Sequence, residues 1–268
     1  VSVERDESFV PGVARYFKTT MFVAGDGRCR ATLPVRPDLA DARGALRLGA
    51  VAYAVDVATG ICSGVAVVDR GLWIVTTDIQ LAMVRPITEG PLLVDASTVR
   101  AGETTVVCEF VLTDASDGEV VGGGTTTNRP FPFAGGDDIS LRFPRDTPLP
   151  HDDGSPVSDD PIGDQLGIRP VGEDGSVEID ITERTRNPWG ILHGGITGTL
   201  VDLAASAVGN GRTPDGATVR YLSPGRVGPV RATPTVVAEG ADSTLVSVRV
   251  TDRGREDRTM AVATVTLR

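Results

Sequence analysis

The residues best suited to chemistry lie in one run, from Asn187 to Asp202. Asn187, His193, Gly194, Gly195 and Asp202 bring an amide, an imidazole, two unobstructed backbone amides and one carboxylate. An apolar periodicity starts after the glycines, so a helix is expected to begin near Gly194. The first turn of a helix has free N–H groups and the positive end of the dipole. Without side chains, Gly194 and Gly195 leave those groups open to a ligand. A carbonyl oxygen docked there is polarised, and an oxyanion is stabilised. His193 and Asn187 add donors or orient the ligand, and Trp189 is expected to pack the turn. Asp202, the one carboxylate on an otherwise uncharged segment, suits a general base or a nucleophile.

Spacing then imposes a condition. Gly194 and Asp202 are eight residues apart, which is about 12 Å along a helix. One side chain cannot reach a carbonyl held at Gly194 from there. The carboxylate must serve the N-terminus of a different helix, and two antiparallel helices packed side by side meet that need.

The second helix is supplied by an internal repeat. Gly44, Leu46, Gly49, Val55 and Asp56 recur as Gly190, Leu192, Gly195, Val201 and Asp202, at a constant offset of 146. Further on, Pro86, Gly90, Pro91, Gly102 and Asp114 recur as Pro224, Gly228, Pro229, Gly240 and Asp252, at an offset of 138. Two segments that each keep their spacing define a tandem repeat. Each copy reads as a strand, a long helix and about four strands. Ile196, Leu200, Leu203 and Ala207 make one apolar helical face, matched by Ala50, Ala54, Val57 and Ile61. Strands are expected at Trp73–Arg85, Leu92–Arg100, Thr104–Asp114 and Val120–Thr127, and again at Ala217–Leu222, Val230–Ala238, Thr244–Asp252 and Thr259–Leu267. The class is α+β. Sheet edges of the two copies are free to join. The expected organisation is a first half at 1–130, a linker at 131–165 and a second half at 166–268. The Pro130–Asp164 stretch holds seven Pro and eight Asp and reads as an ordered or semi-ordered connection. His151-Asp152-Asp153 within it reads as a solvated acidic loop.

On this scheme Asp56 faces the Gly194 end, and Asp202 faces the end at Arg47–Gly49. The ends differ. Asp41, Arg47 and Leu48 stand where the second half has Asn187, His193 and Gly194. Leu48 crowds the approach to the backbone, and Arg47 is a candidate partner for Asp202. Thr76 and Thr77 are candidates to hold an attacking water. The matching stretch of the second half is shorter and holds Pro214. One working site per chain is expected, from Asn187, His193 and Gly194 with Asp56.

The remaining composition narrows the classes. The 268 residues carry 40% hydrophobic and 23% charged side chains and a net charge of −10, ordinary for a soluble protein. The acidic balance argues against nucleic acid and anionic membrane as partners. Cys29, Cys62 and Cys108 are odd in number and widely spaced, which suits small buried thiols in a reducing cytoplasm. The opening VSVERDESF is charged and lacks a signal-peptide core. No apolar run of the ~18 residues that a membrane span needs is expected. A G-x-S-x-G elbow, a P-loop and a dinucleotide fingerprint are all missing.

The pattern N-x5-H-G-G-x6-D, ending in Thr199-Leu200-Val201-Asp202, resembles the hotdog-fold acyl-CoA thioesterases of the phenylacetate-pathway type. The likeness continues through Tyr221-Leu222-Ser223-Pro224 and the Gly228-Pro229 turn. It covers about 166–268 well and about 17–130 in outline. It implies a double hotdog, a pseudo-dimer within one chain, that hydrolyses acyl-CoA without a metal or redox cofactor. The family forms its site from the Asn, the His, the first Gly amide and the helical Asp, hence Asn187, His193, Gly194 and Asp202 here. Arg220, Arg226 and Arg231 are candidates for the coenzyme A phosphates. The chain is expected as a monomeric pseudo-dimer or an oligomer of it. Two alternatives stay open: a non-catalytic acyl-CoA-binding protein, and a hotdog hydratase, whose D-x4-H spacing is not found in the run from Asn187 to Asp202.

Overall fold

The computed structural model describes residues 12–132, 145–151 and 154–268. Two long helices carry the interior. The helix α2 (Leu48–Val65) follows a one-turn α1 (Ala14–Phe17), and α4 (Gly194–Ala207) follows a short α3 (Ile162–Leu166). Nearly every residue of α2 is buried. It is apolar all round, as a helix enclosed on several sides must be. Its length and apolarity meet the criterion for a membrane span, contrary to the sequence expectation, but its residues are mostly buried within the protein. The fold explains the composition: α2 lies against strands on one side and α4 on the other.

The strands of the first half are β1 (Thr19–Val23), β2 (Cys29–Leu33), β3 (Leu72–Met83), β4 (Leu92–Ala101), β5 (Val106–Asp114) and β6 (Val120–Pro132). A short β7 (Leu149–His151) follows. The second half has β8 (Arg169–Pro170), β9 (Val177–Ile179), β10 (Pro214–Tyr221), β11 (Val230–Glu239), β12 (Thr244–Asp252) and β13 (Arg258–Leu267). All thirteen join one sheet in the order β7-β1-β2-β4-β5-β6-β3-β10-β13-β12-β11-β9-β8. The two halves meet through β3 and β10, paired antiparallel from Gly216↔Ala82 to Arg220↔Asp78. This junction removes one edge from each half. The architecture is a double hotdog: one long helix on an antiparallel sheet, twice, with the two sheets continuous.

The connecting segment is built onto the first half. β7 pairs with β1 from Thr19↔His151 to Met21↔Leu149, and Gln165 Nε2 donates to Asp38 Oδ2 at 3.1 Å. Asp152 and Asp153, expected in an acidic loop, lie outside the described residues. The repeat residues far from the helices also have local reasons. Gly90-Pro91 and Gly228-Pro229 are both cis. Asp252 accepts hydrogen bonds from the amides of Arg226, Val227 and Gly228 and so shapes the loop that holds the second pair. The three cysteines are free and buried. Cys62 and Cys108 share the Thr98 hydroxyl, at 3.4 and 3.5 Å.

What brings α2 and α4 together is the absence of side chains where they cross. A Cβ on Gly49 would lie 2.7 Å from Thr199 Cα, and one on Gly195 2.8 Å from Tyr53 Cα. Thr199 and Tyr53 are themselves repeat counterparts. The two approaches are one contact seen from each end, and they make the helices antiparallel. Glycine inside a helix costs about 1 kcal/mol against alanine, and here that cost permits the close crossing. Gly49→Ala should therefore destabilise the protein although alanine favours helix. Urea unfolding should show a loss of about 1–3 kcal/mol, the range for overpacking a tight interior.

Candidate active site

The loops that lead into the two helices are built alike. Asn187 Oδ1 accepts from the amides of Trp189 and Ile191 at 3.0 and 3.3 Å. Asp41 Oδ1 does the same for Arg43 and Ala45 at 2.8 and 3.1 Å. Each loop then turns through a glycine of positive φ, Gly190 at 70° and Gly44 at 80°, a region that only glycine adopts freely. His193 N donates to Thr185 O, and Arg47 N to Leu39 O, both at 3.0 Å. The backbone therefore delivers residues 193 and 47 to equivalent places. Asn187, a predicted site residue, stands in the entry loop. Its side-chain oxygen organises the turn, as short polar side chains do, and its counterpart Asp41 has the same task at the other end.

His193 caps α4. Its Nδ1 accepts from the Gly195 amide at 3.0 Å, and its ring lies 5.3 Å from that of Tyr53 on α2, centroid to centroid. The Asp56 carboxylate, also on α2, comes within 3.5 Å of Nδ1 through Oδ2. A Cβ on Gly194 would lie 2.7 Å from the same Oδ2, so glycine at 194 is what admits the carboxylate. Among the described residues the Gly194 amide has no acceptor. The other oxygen, Oδ1, accepts from the Thr76 hydroxyl on β3 at 2.8 Å. The structure thus brings Asp56, His193, Gly194, Gly195 and Thr76 together. Burial pushes His193 below its ordinary value, against the pull of Asp56.

Thr77 does not join them. It is the extra residue where the β3–β6 register shifts between Thr76 and Asp78, and its hydroxyl donates to Thr127 O at 3.0 Å. A bulge re-aims the residues beside it, and here Thr76 is the one that meets the helix. Tyr221, at the end of β10, is an addition that the sequence reading left out of the site. Its hydroxyl donates to Gly194 O at 3.0 Å. Trp189 packs the turn onto the first half, 5.3 Å from Phe131 edge-on and 6.5 Å from Trp73. Arg220 pairs with Asp78 at 3.2 Å and Arg231 with Glu178 at 2.8 Å, so two of the three candidate phosphate ligands already have carboxylate partners.

Asp202 lies at the opposite end. It is 2% exposed, against 9% for Asp56. Its Oδ2 accepts from the Gly49 amide at 3.2 Å, and its Oδ1 accepts from Ser206 at 3.3 Å. Arg47 stands 3.9 Å away. Burial pushes the Asp202 carboxyl above its usual range, opposed by Arg47 and the Gly49 amide. A pocket of about 210 Å³ opens at this end, lined by Arg47, Leu48, Met83, Asp202 and Pro214 among others. Its carboxylate is already hydrogen-bonded within the protein, so the better candidate for chemistry is the Asp56 end.

Residues 182–268 match the family described as acyl-CoA thioesterase N-terminal domain. No curated protein matches the chain. Among solved structures, a 12:0-ACP thioesterase from Umbellularia californica is similar over 90% of this chain and 94% of its own, at 13% identity and a TM-score of 0.62. A TesB protein from Mycobacterium avium subsp. paratuberculosis is similar over 96% of each chain, at 10% identity and a TM-score of 0.61. An oleoyl thioesterase structure from Lactobacillus plantarum covers 90% of this chain and 95% of its own, at 13% identity and 0.62. At such identities the structural likeness bears on the fold. The fold is therefore that of two hotdogs in one chain, and the second of them carries the match to an acyl-CoA thioesterase domain.

The depressed His193 has a consequence for stability. The folded protein resists a proton that the unfolded chain accepts near pH 6.5. The contribution is therefore full above that pH and falls as pH drops through it. Urea unfolding between pH 7.5 and 5.5 should show a larger loss for the wild type than for His193→Asn. Asparagine keeps a capping oxygen but does not titrate. Equal losses in the two proteins would show that His193 is not held neutral by the fold.

Proposed function

We propose that the chain hydrolyses an acyl-coenzyme A thioester at one site, made of the Gly194 amide and His193 from the second half and Asp56 and Thr76 from the first. The observation that carries this reading is the meeting of Asp56 Oδ2 with the N-terminus of α4. An acyl carbonyl oxygen accepts from the Gly194 amide, at the positive end of the α4 dipole, where charge developing on that oxygen is stabilised. His193, its Nδ1 occupied by the Gly195 amide, keeps Nε2 as a donor toward the thioester.

Asp56 acts on the carbonyl carbon as a general base. A water beside Oδ2, held with the help of the Thr76 hydroxyl, gives its proton to Asp56 while its oxygen bonds to the acyl carbon. The C–S bond then breaks, and the thiolate leaves with the proton returned from Asp56. The products are the free acid and coenzyme A. The alternative, direct attack by Asp56, forms an anhydride with the acyl group. A single turnover in ¹⁸O-labelled water separates the two routes. A general base puts the label only in the acid, whereas label in the Asp56 side chain shows an anhydride opened by water at its aspartyl carbonyl.

Asp202 has no such part in this scheme, because its oxygens are spent on Gly49 and Ser206. Free-thiol release should be measured with acyl-CoAs of short, long and aromatic acyl groups and with acyl carrier protein thioesters. Asp56→Asn should lower turnover by about 100-fold or more, as loss of a catalytic base does. Asp202→Asn should leave it within a few-fold of wild type. The reverse pattern would move the site to the other end. Acyl-CoA binding without thiol release would replace hydrolysis with a carrier role.

A further inference from the structure

Tyr221 is hydrogen-bonded to one end of the peptide unit whose other end is capped by His193. Its hydroxyl donates to Gly194 O at 3.0 Å. The N–H of the same peptide unit belongs to Gly195, and it donates to His193 Nδ1 at 3.0 Å. A donor on the carbonyl end of an amide strengthens its N–H as a donor, because polarisation passes through the unit. We propose that Tyr221 is a positioning residue that acts through the Gly194–Gly195 peptide to hold His193 with its proton on Nε2, and so keeps the Asp56 carboxylate at the helix N-terminus from being taken up as the cap of the Gly195 amide. This rests on the proposed thioesterase site and adds a residue to it.

The second end of the molecule shows what happens without the three parts. At the repeat offsets, Tyr221 corresponds to Met83, Gly194 to Leu48 and His193 to Arg47. Methionine has no hydroxyl to give, and a guanidinium has no lone pair to accept an amide proton. The Gly49 amide, counterpart of Gly195, turns instead to Asp202 Oδ2 at 3.2 Å. The carboxylate at that end is consumed as a helix cap. At the Asp56 end, histidine takes the amide and the carboxylate is spared. Tyr221 is suited to the task at working pH. Burial, with the carboxylates of Asp56 and Asp78, pushes its phenol well above the ordinary value, so it remains a donor.

The groups that face His193 are Asp56 and Tyr53 from α2 and the Gly195 amide of its own helix, with Tyr221 of β10 behind that amide and Thr76 of β3 behind Asp56. Asp56 competes with the amide for the same nitrogen. A proton on Nδ1 would point at Oδ2, 3.5 Å away. The competition makes the assignment measurable. The chain has only two histidines, so ¹⁵N spectra of the histidine-labelled protein are simple, and His193→Asn identifies the resonance.

At pH 8, without substrate, the wild type should show His193 as the Nε2–H tautomer. Tyr221→Phe, which keeps the ring and removes the hydroxyl, should shift it toward Nδ1–H. The same variant should lose about tenfold or more in kcat, the scale for a misplaced catalytic group, with KM within twofold. The acid limb of its pH profile should move to higher pH, because a weaker Gly195 bond lets His193 protonate more easily. Should Tyr221→Phe fail to fold, Tyr221→Met, which copies Met83, takes its place. An Nδ1–H tautomer in the wild type, or an unmoved tautomer in the folded variant, would overturn the proposal. Because the spectra need no substrate, a wild type that releases no thiol would sink the thioesterase reading and leave this test intact.

Discussion

The close antiparallel crossing of α2 and α4 is the contact on which the rest of the molecule depends. Glycines at 49 and 195 let each helix touch the backbone of the other, and this proximity brings the middle of one helix to the N-terminus of its partner. A carboxylate eight residues into a helix is too far from its own first turn to act there. It is within reach of the other's. The fused sheet serves the same end. Pairing of β3 with β10 fixes the halves in register, so Thr76 and Tyr221, from opposite halves, approach the same helix terminus.

A repeated backbone has been given two different ends. Both entry loops use a short polar side chain to close the turn, a left-handed glycine to leave it and the same backbone bonds to reach the helix. Three of the side chains that differ decide how the helix amide is capped. With His193, Gly194 and Tyr221, the helix amide is capped by an imidazole and the facing carboxylate keeps an oxygen near the open Gly194 amide. With Arg47, Leu48 and Met83, the amide falls to Asp202, and the carboxylate beside the pocket at that end is engaged within the protein. Symmetry of fold and asymmetry of chemistry coexist because the loops are shaped by backbone and Asx bonds, which those three side chains do not touch.

Much of the fold was legible before any coordinates. The two long helices, the four strands after each and the α+β class follow from periodicity and from turn residues at matching offsets. Several elements were not legible. β1, β7 and β8 are short pieces stabilised by partners distant in sequence, with too little alternation to show. The apolar continuity of α2 over a span length is masked in the sequence by Asp56 and the glycines. Thr77 was offered beside Thr76 because a bulge, which decides which of two neighbours faces the helix, leaves no mark in composition. The part of Asn187 in the turn is not legible either, because its hydrogen bonds to the Trp189 and Ile191 amides exist only once the loop closes.

The repeat, the helix starts and the rule that Asp56 must answer to the far helix were all set by sequence. They depend on local geometry, the 1.5 Å rise of a helix and the freedom of glycine, which the order of residues states directly. The tertiary structure alone decided that Thr76 binds Asp56, that His193 takes the Gly195 amide and that Tyr221 stands behind it. Those hydrogen bonds join residues on separate elements or turn on the direction of a single ring. A hydrogen bond is lost when its partners move apart by about half an ångström beyond 3.2 Å. Packing fixes positions to that tolerance, and spacing along a chain does not.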